Sequence, residues 1–137
     1  MSDTNLALID EIYDAFNRRD YESVLAKFTP DFEWVAAENS PLADQSPYHG
    51  IDSICSGVFD RIAAGFERLE VMPDEVFTGD DGRVVMLGYY HGRFRGGSED
   101  FRTQVAHIWT IRDRKAIKFQ QYLDTLKVSS DAAAMSA

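Results

Sequence analysis

The sequence is poor in cysteine, in positive charge and in long apolar runs. A single cysteine, Cys55, excludes an internal disulfide and any metal site built from several thiolates. Lys and Arg number 14 against 23 Asp and Glu, a formal net charge of -9. So acidic a chain lacks the cations that neutralise phosphates, which argues against nucleic acid and equally against an anionic membrane surface. No stretch approaches the roughly 20 apolar residues of a spanning helix. The N-terminus, MSDTNLALIDEIYDAF, has neither the basic segment nor the apolar run of a signal peptide, so a cytoplasmic protein is expected. His49, His91 and His107 lack the close helical spacing of zinc motifs, and neither a metal nor a cofactor is expected.

What is present fits one domain. Of the 137 residues, 45% are hydrophobic and 27% charged, and a chain of this length buries roughly two-thirds of its surface. The domain is expected over residues 1–127. Residues 128–137 read as a loose tail, small and polar with no large anchor after Val128.

The first half reads as helical. Leu6, Ile9, Tyr13 and Phe16 recur at helical spacing, and the helix stops near Asn17–Asp20. Asp20 is placed to cap a second short helix carrying Val24, Leu25 and Phe28, which Pro30 ends. Residues 32–37 read as a short strand and 38–49 as a loop. Ile51, Ile54, Val58, Ile62 and Phe66 mark a third helix. From residue 67 the period changes to two. Pro73 marks a bulge or an edge strand. Thr78–Gly82 forms a hairpin turn between strands. Strands follow at 83–95 and 101–112, then a turn at 113–115 and a last strand from about 116 to 127. The fold class is α+β: three N-terminal helices packed on a curved antiparallel sheet.

Gly88 and Gly92 supply the small residues a bending strand requires. A curled sheet closed by amphipathic helices makes a cone, and the aromatic content of 12% favours a roomy apolar pocket with polar tips. Tyr13, Trp34, Tyr90 and Trp109 are candidates for its ligand-binding wall. His107 lies on the apolar parity of its strand. With residues 113–115 as the loop, Arg112 pairs with Ala116, and His107 then faces Gln121 while Trp109 faces Phe119. That pair either holds a ligand's carbonyl or hydroxyl or satisfies itself. Asp124 points away by strict alternation and enters the pocket only if a bulge near Gln121–Tyr122 shifts the parity. Ala106 and Ile108 are apolar on the outer parity, which points to a homodimer packing sheet on sheet.

Over roughly residues 4–127 the pattern resembles the NTF2-like superfamily, and within it the SnoaL-like branch related to ketosteroid isomerases. The segments carrying the likeness are IYDAFNRRDYESVLAKFTPDFEW, YHGIDSI, LGYYHG and AHIWTIRDRKAIKFQQYLDT. The resemblance implies a cone-shaped α+β fold, a dimer and a small apolar ligand. It puts Asp124 where polyketide cyclases keep an acid–base aspartate, and His107 where the isomerases keep a protonated oxyanion-hole aspartate. Both are thereby candidate catalytic residues, Asp124 removing a proton next to a carbonyl and His107, with Gln121, bonding the enolate oxygen. The isomerases' base aspartate falls on Ala36 and their helix-one tyrosine on Ile12, with Tyr13 one step off. A strict ketosteroid isomerase is disfavoured. The alternative is a member that only binds a ligand, or a dimeric scaffold.

Overall fold

A computed structural model describes residues 2–127; the expected tail at 128–137 lies outside the described residues. Helix α1 spans Ser2–Asn17 and α2 Tyr21–Leu25. The side chain of Asp20 caps α2, accepting from the Ser23 N–H at 3.2 Å. Strand β1 runs Phe28–Val35, and a two-residue β2, Tyr48–His49, follows a loop. Helix α3, Ile51–Ile54, continues through a π-helical turn, Cys55–Phe59, into α4, Asp60–Gly65. Strands β3 (Phe66–Thr78), β4 (Val84–Phe94), β5 (Phe101–Arg112) and β6 (Lys115–Leu123) complete the chain.

The six strands form one sheet in the order β2-β1-β6-β5-β4-β3. Neighbours are antiparallel except β1, which joins β6 in parallel. The curved antiparallel sheet expected from the sequence is present, and the parallel join of β1 to β6 is the one pairing it did not include. A parallel pair needs a long crossover, so its partners lie more than eighty residues apart and leave no local signature.

Several element boundaries differ from expectation. Helix α2 stops at Leu25, so Phe28 and Pro30 belong to β1. Pro30 is tolerated because it falls inside the register shift between Phe28 and Glu33, where no ladder bond needs its missing N–H. The Phe28 ring stacks on Phe32 at 3.9 Å, four residues on. Phe66 opens β3 instead of closing the helix. Strand β6 ends at Leu123, and a short helical turn occupies 125–127.

Bending comes from where it was read. Pro73 pairs with Gly88 and Leu69 with Gly92, each beside a register shift in β3. A Cβ at Gly88 would collide with the backbone of Met72 and Pro73, so only glycine lets the strands approach there. Strand β3 is both bulged and an edge strand. The concave face is packed by α1 and by the α3–α4 helix. Ile9, Ile12, Ile54, Val58, Val84, Met86 and Trp109 are all nearly inaccessible there.

Candidate functional site

Inside the cone lies a cavity of about 80 Å³. Ile12, Tyr13 and Phe16 of α1 wall one side, Trp34 and Phe59 another, and the inward residues of β4, β5 and β6 the third. Ser40, Pro41 and Leu42 add to the lining from the loop between β1 and β2. The space is about half the ~150 Å³ of an apolar cavity that accepts benzene. A roomy hollow was expected; the aromatics instead fill much of it by packing on one another. Trp34 sits 4.1 Å from Phe119, Trp109 4.7 Å from Phe119, and Tyr21 stacks on Phe59 at 5.1 Å.

The polar lining forms one connected chain. The Trp109 indole N–H donates to the Tyr13 hydroxyl at 2.9 Å. That hydroxyl is hydrogen-bonded to Nδ1 of His107 at 2.8 Å. Nε2 of His107 is hydrogen-bonded to the Tyr90 hydroxyl, also at 2.8 Å. The Gln121 amide N–H donates to the same Tyr90 oxygen at 2.8 Å. Ala37 donates its backbone N–H to Oε1 of Gln121 at 3.1 Å, which fixes which end of the amide faces the tyrosine.

Strand register brings these groups together. His107 lies opposite Gln121 and Trp109 opposite Phe119, as the sequence arithmetic required. The route to that register differs. The hairpin loop is Asp113 and Arg114, both at positive φ, so Arg112 pairs with Lys115. A shift between Thr110 and Ile111 then absorbs one extra residue and restores the expected pairing.

Burial sets the protonation of the chain. His107 is 2% exposed, and desolvation of its cationic form pushes its pKa down to about 3. It is therefore neutral at pH 7, with one ring N–H and one bare ring nitrogen. Burial raises Tyr13 well above the usual tyrosine range, against the opposing hydrogen bond from Trp109. Burial also raises Tyr90, opposed by the bond from Gln121. Both stay phenols at neutral pH.

Five sequence-derived candidates, Tyr13, Trp34, Tyr90, Trp109 and Gln121, line this cavity together with His107. Gln121 does not bond His107 directly; each bonds Tyr90. Tyr13, set one step off the family's tyrosine position, is not turned away. Ile12 and Tyr13 both face inward, 2% and 5% exposed. The spacing Ile9, Ile12, Tyr13, Phe16 is itself the signal, since i, i+3, i+4 and i+7 share one helix face.

Asp124 is elsewhere. No register shift occurs between Gln121 and Leu123, so alternation holds: Gln121 and Leu123 face in, and Asp124 is exposed. Its backbone N–H donates to the Gln104 carbonyl at 3.2 Å, and its carboxylate accepts from the Lys127 N–H at 3.0 Å, capping the last turn. It borders a shallow hollow on the outer face with Tyr89 and Gln104. Among the described residues no Asp or Glu lines the cavity.

Helices set against one face of a bent, unclosed sheet, around a greasy cavity with a few buried polar groups, define the NTF2-like fold. Residues 9–119 match the SnoaL-like domain, and the chain belongs to that family. An NTF2-like protein from Burkholderia thailandensis E264 is 28% identical, with a TM-score of 0.82 over 93% of this chain and 95% of its own. TerC, co-crystallised with polyporic acid, is 26% identical, with a TM-score of 0.82 over 95% and 98%. A protein of ketosteroid isomerase-like fold from Catenulispora acidiphila DSM 44928, in complex with trimethylamine, shares the fold at 19% identity. Its TM-score is 0.77, over 92% of both chains. No curated protein matches the chain. No described helix is long and apolar enough to cross a membrane.

Proposed function

We propose that the chain binds a small, largely apolar molecule bearing an oxygen acceptor, and holds it in the cone without transforming it. The carrying observation is the lining itself: apolar walls, a set of neutral hydrogen-bonding groups, and no carboxylate among the described residues. A cyclase or isomerase that removes a proton beside a carbonyl needs a base of suitable pKa within reach. Asp124, the expected base, is exposed on the other side of the sheet. His107, held neutral with a pKa near 3, is too weak a base for that step at pH 7. The family relative crystallised with polyporic acid supports a small organic ligand.

The test is a thermal-shift and calorimetric screen of small ketones, phenols and quinones, with mass spectrometry of each mixture after incubation. Compounds that raise the melting temperature and are recovered unchanged support the reading. Steady conversion of a bound compound refutes it in favour of the cyclase or isomerase reading.

The outer face supports a second copy of the chain as partner. Tyr122 is 55% exposed there, beside the half-buried Ala106 and Ile108. A monodisperse dimer by sedimentation that becomes a monomer in Ile108→Lys is the expected result; a wild-type monomer removes the proposal.

A further inference from the structure

The hydrogen-bonded chain holds one proton more than its internal bonds can use. Two bonds flank the imidazole, one to Tyr13 and one to Tyr90, and each is made by a single proton. Three protons are on hand: one on each hydroxyl and one on the neutral ring. Trp109 and Gln121 act only as donors toward the two hydroxyls, so they consume none of the three.

Two arrangements satisfy this count. With the ring proton on Nδ1, His107 donates to Tyr13, and Tyr90 donates to Nε2. The Tyr13 oxygen then accepts from both Trp109 and His107, and its own hydrogen is spare. With the ring proton on Nε2, His107 donates to Tyr90, and Tyr13 donates to Nδ1. The Tyr90 oxygen accepts from both Gln121 and His107, and the spare hydrogen is on Tyr90. Among the described residues neither hydroxyl has another acceptor. Thr103, which lies opposite Tyr90 in the strand register, has its buried Oγ1 in no hydrogen bond. Both tyrosines border the cavity, so the spare O–H is available to whatever occupies it.

We propose that His107 is a tautomeric relay that lets either Tyr13 or Tyr90, never both at once, donate the specificity-determining hydrogen bond to a ligand's acceptor oxygen. A carbonyl bound near Tyr13 draws the ring proton to Nδ1, and one bound near Tyr90 draws it to Nε2. In either state one hydroxyl oxygen is saturated and the other keeps a single lone pair. The site therefore selects ketone, aldehyde, quinone or phenolate oxygens over ligands that only donate. The proposal deepens the binding reading above and rests on it for the ligand, but not for the relay itself.

The relay is read first without ligand, from ¹⁵N chemical shifts of the His107 ring in the full chain. A ring N–H buried without an acceptor is costly, whereas a hydroxyl can rotate toward the cavity. In Tyr13→Phe the ring proton is therefore expected on Nε2, toward Tyr90. In Tyr90→Phe it is expected on Nδ1, toward Tyr13. The same tautomer in both variants overturns the relay.

The wild type is then titrated with cyclopentanone and with its near-isostere methylenecyclopentane. The ketone should move the two ring nitrogen shifts in opposite directions, and the alkene should leave them in place. A saturating ketone that moves neither nitrogen overturns the relay, and this measurement stands even if a variant does not fold. The ratio of ketone to alkene affinity should stay within about 3-fold of wild type in each single variant, and fall about 10-fold in Tyr13→Phe/Tyr90→Phe, the worth of one hydrogen bond. Loss of the preference in one single variant shows a fixed donor and no relay. Failure of the ketone to bind, with the two tautomers still opposed in the variants, overturns the binding reading and leaves the relay standing.

Discussion

The side-chain amide of Asn17 pairs with both backbone polar groups of Val71, donating to its carbonyl at 2.9 Å and accepting its N–H at 2.8 Å. Val71 lies on β3, whose other edge is already bonded to β4. The last residue of α1 thus covers an open edge of the sheet, where unpaired backbone groups would invite another strand. It also ties the helix that carries Tyr13 to the bent strand across the cone.

Asn17→Ala removes both bonds and leaves a part-buried N–H and carbonyl without their side-chain partner. We expect a loss of about 2 kcal/mol, two bonds of about 1 kcal/mol each. Urea unfolding of wild type and variant measures it. A change under about 0.5 kcal/mol would mean that water replaces the amide there at little cost.

How much of this was legible depends on whether the determining contact is local. The pairing of His107 with Gln121 followed from turn position and alternation alone. It survived a misplaced loop only because the shift at Thr110/Ile111 offsets the shorter turn. The inward face of α1 was written in its own spacing. The link from Asn17 to Val71, and the parallel join of β1 to β6, depend on partners far away in the chain and left no periodic trace. Asp124 went wrong for a different reason. Alternation along β6 gave the correct outward direction, and the family likeness overrode it.

The same hairpin offers a check on backbone strain. Arg114 sits at φ 66 in a two-residue turn, a conformation that glycine adopts freely and a Cβ penalises. Arg114→Gly should stabilise the protein by about 1 kcal/mol in thermal or urea unfolding. The gain is partly offset by the greater freedom of glycine in the unfolded chain. A destabilised variant would place the turn's determinant in the arginine side chain.

Access to the cavity is expected to run through the loop bearing Ser40, Pro41 and Leu42. Arg61 of α4 holds it, donating to the Asp44 carboxylate at 2.8 Å and to the Pro41 carbonyl at 3.1 Å. The Tyr48 hydroxyl adds a bond to the Leu42 carbonyl at 2.6 Å. The Tyr48 ring lies where a side chain at position 57 would collide with it, so Gly57 of the π-helical turn is part of the same clasp. Since the cavity is smaller than a benzene-sized ligand needs, binding is expected to widen it at this clasp. Arg61→Ala should speed both association and dissociation of a bound ketone several-fold in stopped-flow traces, with the melting temperature falling by only a few degrees. Unchanged rates would move the entrance to another part of the rim.

Acid should weaken the fold through His107 before it affects the carboxylates. In the unfolded chain the imidazole takes up a proton near pH 6.5, whereas the folded protein resists it down to about pH 3. Between those limits the unfolded state binds more protons, so stability falls as pH falls, by at most about 1.4 kcal/mol per pH unit for this one site. Above pH 6.5 its contribution is flat. Asp20, Asp44, Asp81 and Asp100 are held below the usual carboxylate range, chiefly by hydrogen bonds from Ser23, Arg61, the Arg83 backbone and Arg93 respectively. Their stabilisation is fully present well above the unfolded aspartate pKa and is lost progressively below about pH 5. The interval from pH 6.5 to 5 therefore isolates the histidine. Urea midpoints across it should drop steadily in the wild type and stay level in His107→Gln, whose amide retains a donor and an acceptor for the two tyrosines. A wild-type profile that is flat from pH 6.5 to 5 would mean that the imidazole is protonated inside the cone. The chain of bonds would then carry two spare hydroxyl protons instead of one.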